Sequence, residues 1–411
     1  MEASSSRGRS GGAALKRRRG AGSGSTAQSL NDDILRSIFS RLDDHFDLAR
    51  CSAVCSSWNR IIVTAHLMRD LYYKRNPPAR GSSSNISVKS YFEALAMDEH
   101  ASSLSSGPAD AYQWIGHPMR ATLCRMRGGS ILTGVGDKFL RLWSAETCKF
   151  MNEYNVPNAK TLVDFDFDEN KDFYLMFICL CSFADPEVVI GCEDGRAFVY
   201  DMYSRSCSSI YRLHSSPVTC LTITDDQLIL GGSTFGNIAI ADQTSGQKLG
   251  VLKSAYAPLA IRSLSFNTNS HMIFAGSSAG YAHCWDLRTL RPLWEPRVSP
   301  NVIYSVHHLP GDTATLAVGG IDGVLRLICQ RTGDIIRSII VDTNRPAEST
   351  LRSRHQIEKK RVREVVPGAQ VDNISTRLRP QITSLSVGMK KIVTTHGENY
   401  IRVLKFRPKR S

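Results

Sequence analysis

Apolar residues follow two different periods along this chain, and the change comes near residue 108. Between Asn31 and Leu71 they recur at three- and four-residue steps. Ile34, Leu35, Ile38, Phe39 and Leu42 stand at i, i+1, i+4, i+5 and i+8 behind Asn31, Asp32 and Asp33, which supply a cap or first-turn carboxylates. That spacing predicts a helix with all five apolar residues on one face. A second start signal at Asp43, Asp44 and Asp47 leads into Leu48, Cys51, Val54, Cys55 and Trp58, with Ile61, Ile62 and Leu71 beyond. The unit reads as about three short helices. Residues 76–108 hold Pro77-Pro78, the run Gly81 to Ser84 and "SSLSSGP", and read as a linker interrupted by a short amphipathic stretch around Tyr91 to Met97.

From residue 109 onward the pattern turns to short alternating strands, and a repeat emerges when the segments ending "FLRLW", "AFVY", "NIAIA", "AHCW", "VLRLI" and "IRVL" are aligned. Their last residues are Trp143, Tyr200, Ala241, Trp285, Ile328 and Leu404. Nine positions earlier stand Gly134, Gly191, Gly232, Gly276, Gly319 and Thr395; six positions earlier stand Asp137, Asp194, Phe235, Ala279, Asp322 and Glu398. Each unit reads as strand, turn, apolar strand, glycine-containing turn and strand. Three of the five spacings, 41, 44 and 43 residues, match the period of about 40–45 residues for a four-stranded propeller blade.

Two spacings are longer. The excess between Ile328 and Leu404 falls in the polar, basic segment "RPAESTLRSRHQIEKKRVREVVPGAQVDN", placing an insertion at about 342–375 that is expected to be a disordered or helical surface loop. The excess between Trp143 and Tyr200 surrounds "ENKDFYLMFICLCSF", at about 169–184, which is apolar where a surface loop should be polar. A distorted or truncated blade is expected there, so six visible repeats stand with a degenerate seventh as an open alternative. The last repeat stops at its third strand, and "AYQWIGH" before the first repeat is expected to supply the missing outer strand and close the ring.

Charge changes this picture little. The net charge is +13, but residues 1–29 carry six Lys/Arg against one acid, residues 345–379 nine against four, and residues 399–411 five against none. The remainder is slightly negative, so the folded body offers no evident groove for a phosphate backbone, and nucleic acid is disfavoured as a partner. Residues 1–28 read as a disordered basic tail in which Lys16-Arg17-Arg18-Arg19 is either a nuclear localisation signal or a solvated cluster. The longest apolar run, Tyr174 to Ala184, is too short to span a bilayer as a helix, and the N-terminus lacks an apolar signal core. A soluble protein of the nucleus and/or cytoplasm without membrane partners is expected.

Chemistry is hard to find. The 11 cysteines are scattered, without a CxxC pair or zinc-finger spacing, so no metal and no disulfide framework is expected. There is no Walker loop, no GxGxxG after a strand and no HExxH, and no cofactor is expected. Asp137, Asp194 and Asp322 recur once per repeat, which spreads them around a ring instead of gathering them into an acid–base pair; tight-turn hydrogen bonding is their natural role. His117 and His214 precede first strands and are expected to join the same turn networks.

Two resemblances join these parts. Leu30, Ile34, Leu35, Ile38, Phe39, Leu42, Leu48, the pair Val54-Cys55, and Trp58 fall in the order and spacing of an F-box, over about residues 29–75, with Asn31 where that family usually has Pro. Trp285-Asp286, Tyr200-Asp201 and the Gly116-His117 dipeptide resemble WD40 repeats, over residues 109–411, with Gly134, Asp137, Trp143, Gly191, Asp194, Gly232, Gly276, Trp285, Gly319 and Asp322 in structural positions. The implied fold is an all-β WD40-type propeller preceded by a small three-helix F-box module. By resemblance to F-box/WD-repeat proteins, including plant ones, the chain would be a non-catalytic substrate receptor of an SCF-type E3 ubiquitin ligase. It would dock a Skp1-like adaptor, and through it a cullin-RING ligase, by the F-box residues. A protein substrate whose contact residues are unknown would bind the propeller; degron readers of this class often present several Arg on one propeller face. Two rival readings are a non-ligase WD-repeat scaffold of a nuclear complex and a nucleic-acid-associated factor using the basic tails.

Overall fold

The computed structural model describes residues 31–77, 87–134, 139–155, 180–184, 187–201, 206–224, 226–255, 259–341, 356–365, 375 and 379–409. They divide into two compact units, the first ending at Ala96 and the second starting at Met97.

The first unit is helical: α1 (Asp32–Phe39), α2 (His45–Ser52), α3 (Ser56–Thr64), α4 (Leu67–Arg75) and the first half of α5 (Val88–Ser106). Four helices stand where the residue pattern predicts about three, because the left-handed residue His66 separates α3 from α4. The segment read as a linker is one 19-residue helix over most of its length. Its apolar residues show no single stripe because its two halves serve different cores: Tyr91 and Leu95 join the helical core, whereas Leu104 lies in a cluster of propeller residues. The added half-helix enlarges a core too small to be comfortable in a domain of about forty-five residues.

The second unit is a β-propeller of six sheets among the described residues. It opens with β1 (Ala109–Ile115). The first sheet holds β2 (Leu123–Arg127), β3 (Ser130–Gly134), β4 (Phe139–Ser144) and β5 (Phe150–Asn155). The second holds β6 (Leu180–Ala184), β7 (Glu187–Gly191), β8 (Arg196–Asp201) and β9 (Ser206–Arg212). The third runs β10 (Val218–Ile223), β11 (Leu228–Ser233), β12 (Asn237–Asp242) and β13 (Lys248–Lys253), and the fourth β14 (Ile261–Asn267), β15 (Met272–Ser277), β16 (Ala282–Asp286) and β17 (Arg291–Trp294). The fifth is built on β18 (Ile303–His307), β19 (Thr315–Gly320), β20 (Leu325–Cys329) and β21 (Ile335–Val341). Two short strands follow, β22 (Glu358–Lys360) and β23 (Val362–Glu364), and then β24 (Ile382–Gly388), β25 (Lys391–His396) and β26 (Tyr400–Phe406), which form the sixth sheet with β1.

The residues aligned by the repeat fall on the third strand of each sheet, and the recurring glycines on the second. β1 pairs antiparallel with β26 from Ala109↔Phe406 to Ile115↔Tyr400, so the strand before the first repeat completes the last blade as expected. Two expectations need correction. Residues 180–184 are the inner strand of a complete second blade, not part of a truncated one; the rest of the 169–184 segment lies outside the described residues. Within the insertion at 342–375, residues 358–364 are two strands rather than disordered or helical chain, because the outer edges of two sheets offer them backbone partners.

The recurring glycine has a steric cause. A Cβ on Gly276 would lie 2.5 Å from Ile303 Cγ2, on Gly319 2.8 Å from Ile382 Cγ2, on Gly191 2.8 Å from Val218 Cγ1, and on Gly232 3.0 Å from Ile261 Cγ2. Each of these four residues is β-branched and begins the next blade's inner strand; at Gly232, Cys220 Sγ of the same sheet stands nearer still, at 2.6 Å. In the sixth sheet Thr395 stands at this register, and its hydroxyl donates to the Thr122 carbonyl at 3.4 Å. The next strand there begins at Leu123.

Hydroxyls on the inner strands tie blades together. Ser384 and Ser386 of β24 accept from the backbone N–H groups of Cys124 (3.4 Å) and Met126 (2.9 Å). Ser305 accepts from Leu385 N–H at 3.1 Å, and the Thr219 hydroxyl donates to Ile261 O at 2.5 Å. Each bond satisfies a strand backbone group that faces a neighbouring blade instead of its own sheet.

Candidate functional site

The helical module is built so that one apolar set is spent on its own core and another is left outside. Asp44 caps α2, its carboxylate accepting Phe46 N–H at 2.7 Å. Leu35 and Phe39 of α1, Leu48 of α2, Ile61 and Ile62 of α3, and Leu67, Met68 and Leu71 of α4 are buried together. Phe39 meets the Trp58 ring edge-on at 5.0 Å. His45, fully buried, packs against the rings of Phe46 and Phe92, which also meet each other edge-on at 5.5 Å.

The expectation that Ile34, Leu35, Ile38, Phe39 and Leu42 lie on one face of a helix is corrected: α1 ends at Phe39, short of Leu42, and its own apolar residues divide. Leu35 and Phe39 point inward, and Leu42 is partly buried against the same core. Ile34 and Ile38 remain 49% and 46% exposed. Adjacent helical positions are 100° apart, so the i, i+4 pair Ile34/Ile38 and the i, i+4 pair Leu35/Phe39 form two stripes. Val54, in the turn between α2 and α3, is 63% exposed, and Trp58 and Leu48 are on the core side. Leu30 lies outside the described residues. Val63 of α3, 39% exposed, is a further apolar surface residue that the sequence pattern did not single out. It follows the buried pair Ile61 and Ile62. The module's surface also carries exposed ion pairs, Asp32–Arg60 at 3.4 Å and Asp47–Arg50 at 2.8 Å, which contribute little stability. Half-exposed isoleucines aligned on one helical face are chemically suited to another protein's apolar surface.

The propeller's polar residues are arranged for structure. In the first blade Arg141 donates to His117 Nδ1 at 2.8 Å, which leaves His117 Nε2–H to donate to the Thr133 hydroxyl at 2.8 Å. That hydroxyl also accepts Trp143 Nε1–H at 2.8 Å. His214 Nε2–H donates to the Gly231 carbonyl at 2.7 Å. His117 and His214 therefore bond to strand residues, on β3 and β4 and on β11, instead of joining the turn networks expected of them. Asp322, nearly buried, accepts from Ser299, Val324 N–H and Arg326, and Asp194 accepts Arg196 N–H and its side chain within an exposed turn. Asp137 lies outside the described residues. Burial pushes His283 down to about 4, His307 to about 3 and His308 to about 4, so these rings are neutral near pH 7 and poorly matched to proton transfer there.

The fourth blade lacks the blade-one arrangement. Ala275 stands opposite His283, at the register where Thr133 stands opposite Arg141. Trp285, fully buried like Trp143, consequently has no hydrogen-bond partner for Nε1 among the described residues. The inner strands β2, β10, β14, β18 and β24 line a cavity of about 900 Å³ whose described wall carries Arg125, Arg127 and Arg262 among serine, threonine and apolar residues. The inner-strand hydroxyls were the main signal missed: Ser and Thr recur at alternate positions in "ITSLSV" and "IRSLSF", a pattern that reads as ordinary strand unless interblade bonding is considered. No helix among the described residues is long and apolar enough to cross a membrane.

Comparison with known proteins follows the same division. An F-box-like family model matches residues 29–74, and a model described as WD domain, G-beta repeat matches residues 246–286. An F-box/WD-40 repeat-containing protein of Arabidopsis thaliana is 38% identical over an alignment of 429 residues, covering 92% of this chain and 94% of that one. Shorter similarities reach Autophagy-related protein 18 of Aspergillus fumigatus, 28% identical over 109 residues (26% of this chain, 24% of that one). Retinoblastoma-binding protein homolog 5 of Caenorhabditis elegans is 35% identical over 63 residues (15% and 14%). Among solved structures, the computationally designed Ika8 protein is similar with a TM-score of 0.50 at 16% identity, covering 72% of this chain and 100% of that one, a likeness of fold alone. Because the Arabidopsis similarity runs through both the helical unit and the propeller, the chain belongs to the family of F-box/WD-40 repeat-containing proteins.

Proposed function

We propose that this protein is the substrate-recognition adaptor of an SCF-type E3 ubiquitin ligase. A Skp1-like adaptor docks on the helical module and links it to a cullin-RING ligase, while the propeller holds a protein substrate. The observation that carries this reading is the split of α1 into a core stripe, Leu35 and Phe39, and an exposed stripe, Ile34 and Ile38, with Val54 of the same module also exposed. The module is already packed without the outer stripe, so those residues are available to a partner. The role is positional and non-catalytic: holding a substrate lysine near a charged carrier enzyme raises its effective concentration without this chain making or breaking a bond. Such work belongs in the nucleus and/or cytoplasm, where ubiquitin ligases of this type act.

The test is reconstitution. Full-length protein mixed with a Skp1-like adaptor, cullin and RING subunit should co-elute as one assembly, and the Ile34→Asp/Ile38→Asp variant should elute alone while keeping its helical circular dichroism. A folded wild-type chain that stays outside the assembly overturns the reading and leaves a WD-repeat scaffold.

A further inference from the structure

The insertion between β21 and β24 covers two edges that the repeat leaves open. Among the described residues, the outermost strand of four sheets, β5, β9, β13 or β17, ends its sheet. In the other two it does not. β22 pairs antiparallel with β1 through Gln113↔Glu358, Tyr112↔Lys359 and Ala111↔Lys360. β23 pairs with β21 through Val341↔Val362, Ile340↔Arg363 and Ile339↔Glu364. Only Arg361 separates the two strands, so seven residues step from the outer edge of the closing blade to the outer edge of its neighbour.

We propose that residues 358–364 form a clasp that fastens β1 to the adjacent blade and keeps the propeller closed. The need for it lies in the topology. β1 is far in sequence from the three strands it completes, and within its own blade it is held by non-covalent pairing with β26 alone. The sixth blade also follows the fifth through the long connection 342–381, a tether that by itself restrains little. Pinning the middle of that connection to both blades divides one long loop into two shorter ones.

Side chains secure the clasp at both ends. Val362 packs against the cluster containing Ala111, Ile339 and Val341, and Ile357 against the one containing Trp114 and Ile401. Lys359 Nζ lies 2.7 Å from Asp110 Oδ1 on β1, and Glu364 pairs with Arg337 on β21. Arg337 also donates to the carbonyls of Leu104 (3.2 Å) and Gly107 (2.7 Å), the backbone that leads into β1. Val365 N–H donates to Ser338 O at 2.9 Å, extending the hold on β21 by one bond. A pull on the chain from its N-terminal side reaches β1 before any other strand of the propeller. The clasp gives that strand a second row of hydrogen bonds against such a load.

Native-state hydrogen exchange on the full chain tests the clasp. In Ile357→Asp/Val362→Asp, which removes its apolar anchors, amides of residues 109–115 should exchange about tenfold faster than in wild type, with β11 and β15 unchanged. Unchanged protection of β1 while residues 358–364 exchange freely overturns the proposal. Should that variant unfold, the cross-strand pair decides: Tyr112→Cys/Lys359→Cys should form a disulfide, identified by peptide mapping, that slows β1 exchange relative to its reduced form. No cross-link, or a cross-link without effect on β1, also overturns it.

Discussion

Gly276→Ala tests the interblade contact directly. The added Cβ would stand 2.5 Å from Ile303 Cγ2, 2.8 Å from Ser263 Oγ and 3.0 Å from Ile303 Cβ, where unstrained carbon contacts sit at about 3.5–4.0 Å. Roughly 1 Å must be found by movement, yet Ile303 is fully buried at the start of β18 and Gly276 lies within β15. Overpacking of this kind costs about 1–3 kcal/mol. Replacing a strand glycine returns about 0.5–1 kcal/mol of backbone entropy; since a 2.5 Å contact with a fully buried side chain puts the overpacking in the upper half of its range, the net loss is about 1–2.5 kcal/mol, a fall of a few degrees in the thermal midpoint. Ile303→Leu removes the Cγ2 methyl while conserving volume, so in a double-mutant cycle followed by thermal unfolding the pair should lose at least 1 kcal/mol less than the sum, within about the range of measured couplings. Gly129→Ala, whose Cβ would meet nothing within 4 Å, is the neutral control. Additive losses, or a Gly276→Ala protein as stable as wild type, would refute the steric account of the repeated glycine.

Other predictions follow the buried polar groups. Ala275→Ser should give Trp285 Nε1–H the acceptor that Thr133 gives Trp143, raising stability by about 0.5–1.5 kcal/mol in thermal unfolding; a loss would mean the site cannot take the hydroxyl. Thr133→Val, nearly isosteric, should cost about 1–3 kcal/mol by removing the acceptor shared by Trp143 and His117, and an unchanged midpoint would deny that network its role. Stability should also fall on acidification. Burial first, then for His307 the neighbouring His308, Arg125 and Arg127, hold His283, His307 and His308 at about 4, 3 and 4. In the unfolded chain these rings titrate near 6.5, so below that pH the unfolded state binds more protons and stability drops as pH falls toward 4. At pH 5 the loss is of order 1–2 kcal/mol for each ring, above the range where most carboxylates titrate; a midpoint equal at pH 7.5 and 5.0 would contradict it.

What the sequence made legible was periodicity. The helical module, the six repeats and the β1–β26 closure all rest on patterns that local geometry writes directly into residue spacing. What it concealed depends on neighbours distant in the chain. Leu35 and Ile34 are both apolar, and only the presence of α3 and α4 on one side decides which is core. The reason for Gly276 is Ile303, on the next blade. The polar run "EKKRVRE" looks like solvated loop because edge strands carry charges on their open face, and its pairing is set by backbone groups that leave no mark on side-chain pattern. Exposure of Ile34, Ile38 and Val54 could not be read from spacing either, since a partner surface and a core face share the same periodicity.

The most direct measurement of the central claim is a calorimetric titration of a Skp1-like adaptor into the full chain and into Ile38→Ala and Ile38→Asp variants. With Ile38 46% exposed, covering it should contribute about 1 kcal/mol. The account predicts saturable one-to-one binding, weakened about fivefold in Ile38→Ala and abolished in Ile38→Asp. Equal affinity for all three chains, or a folded wild type that does not bind, would contradict it.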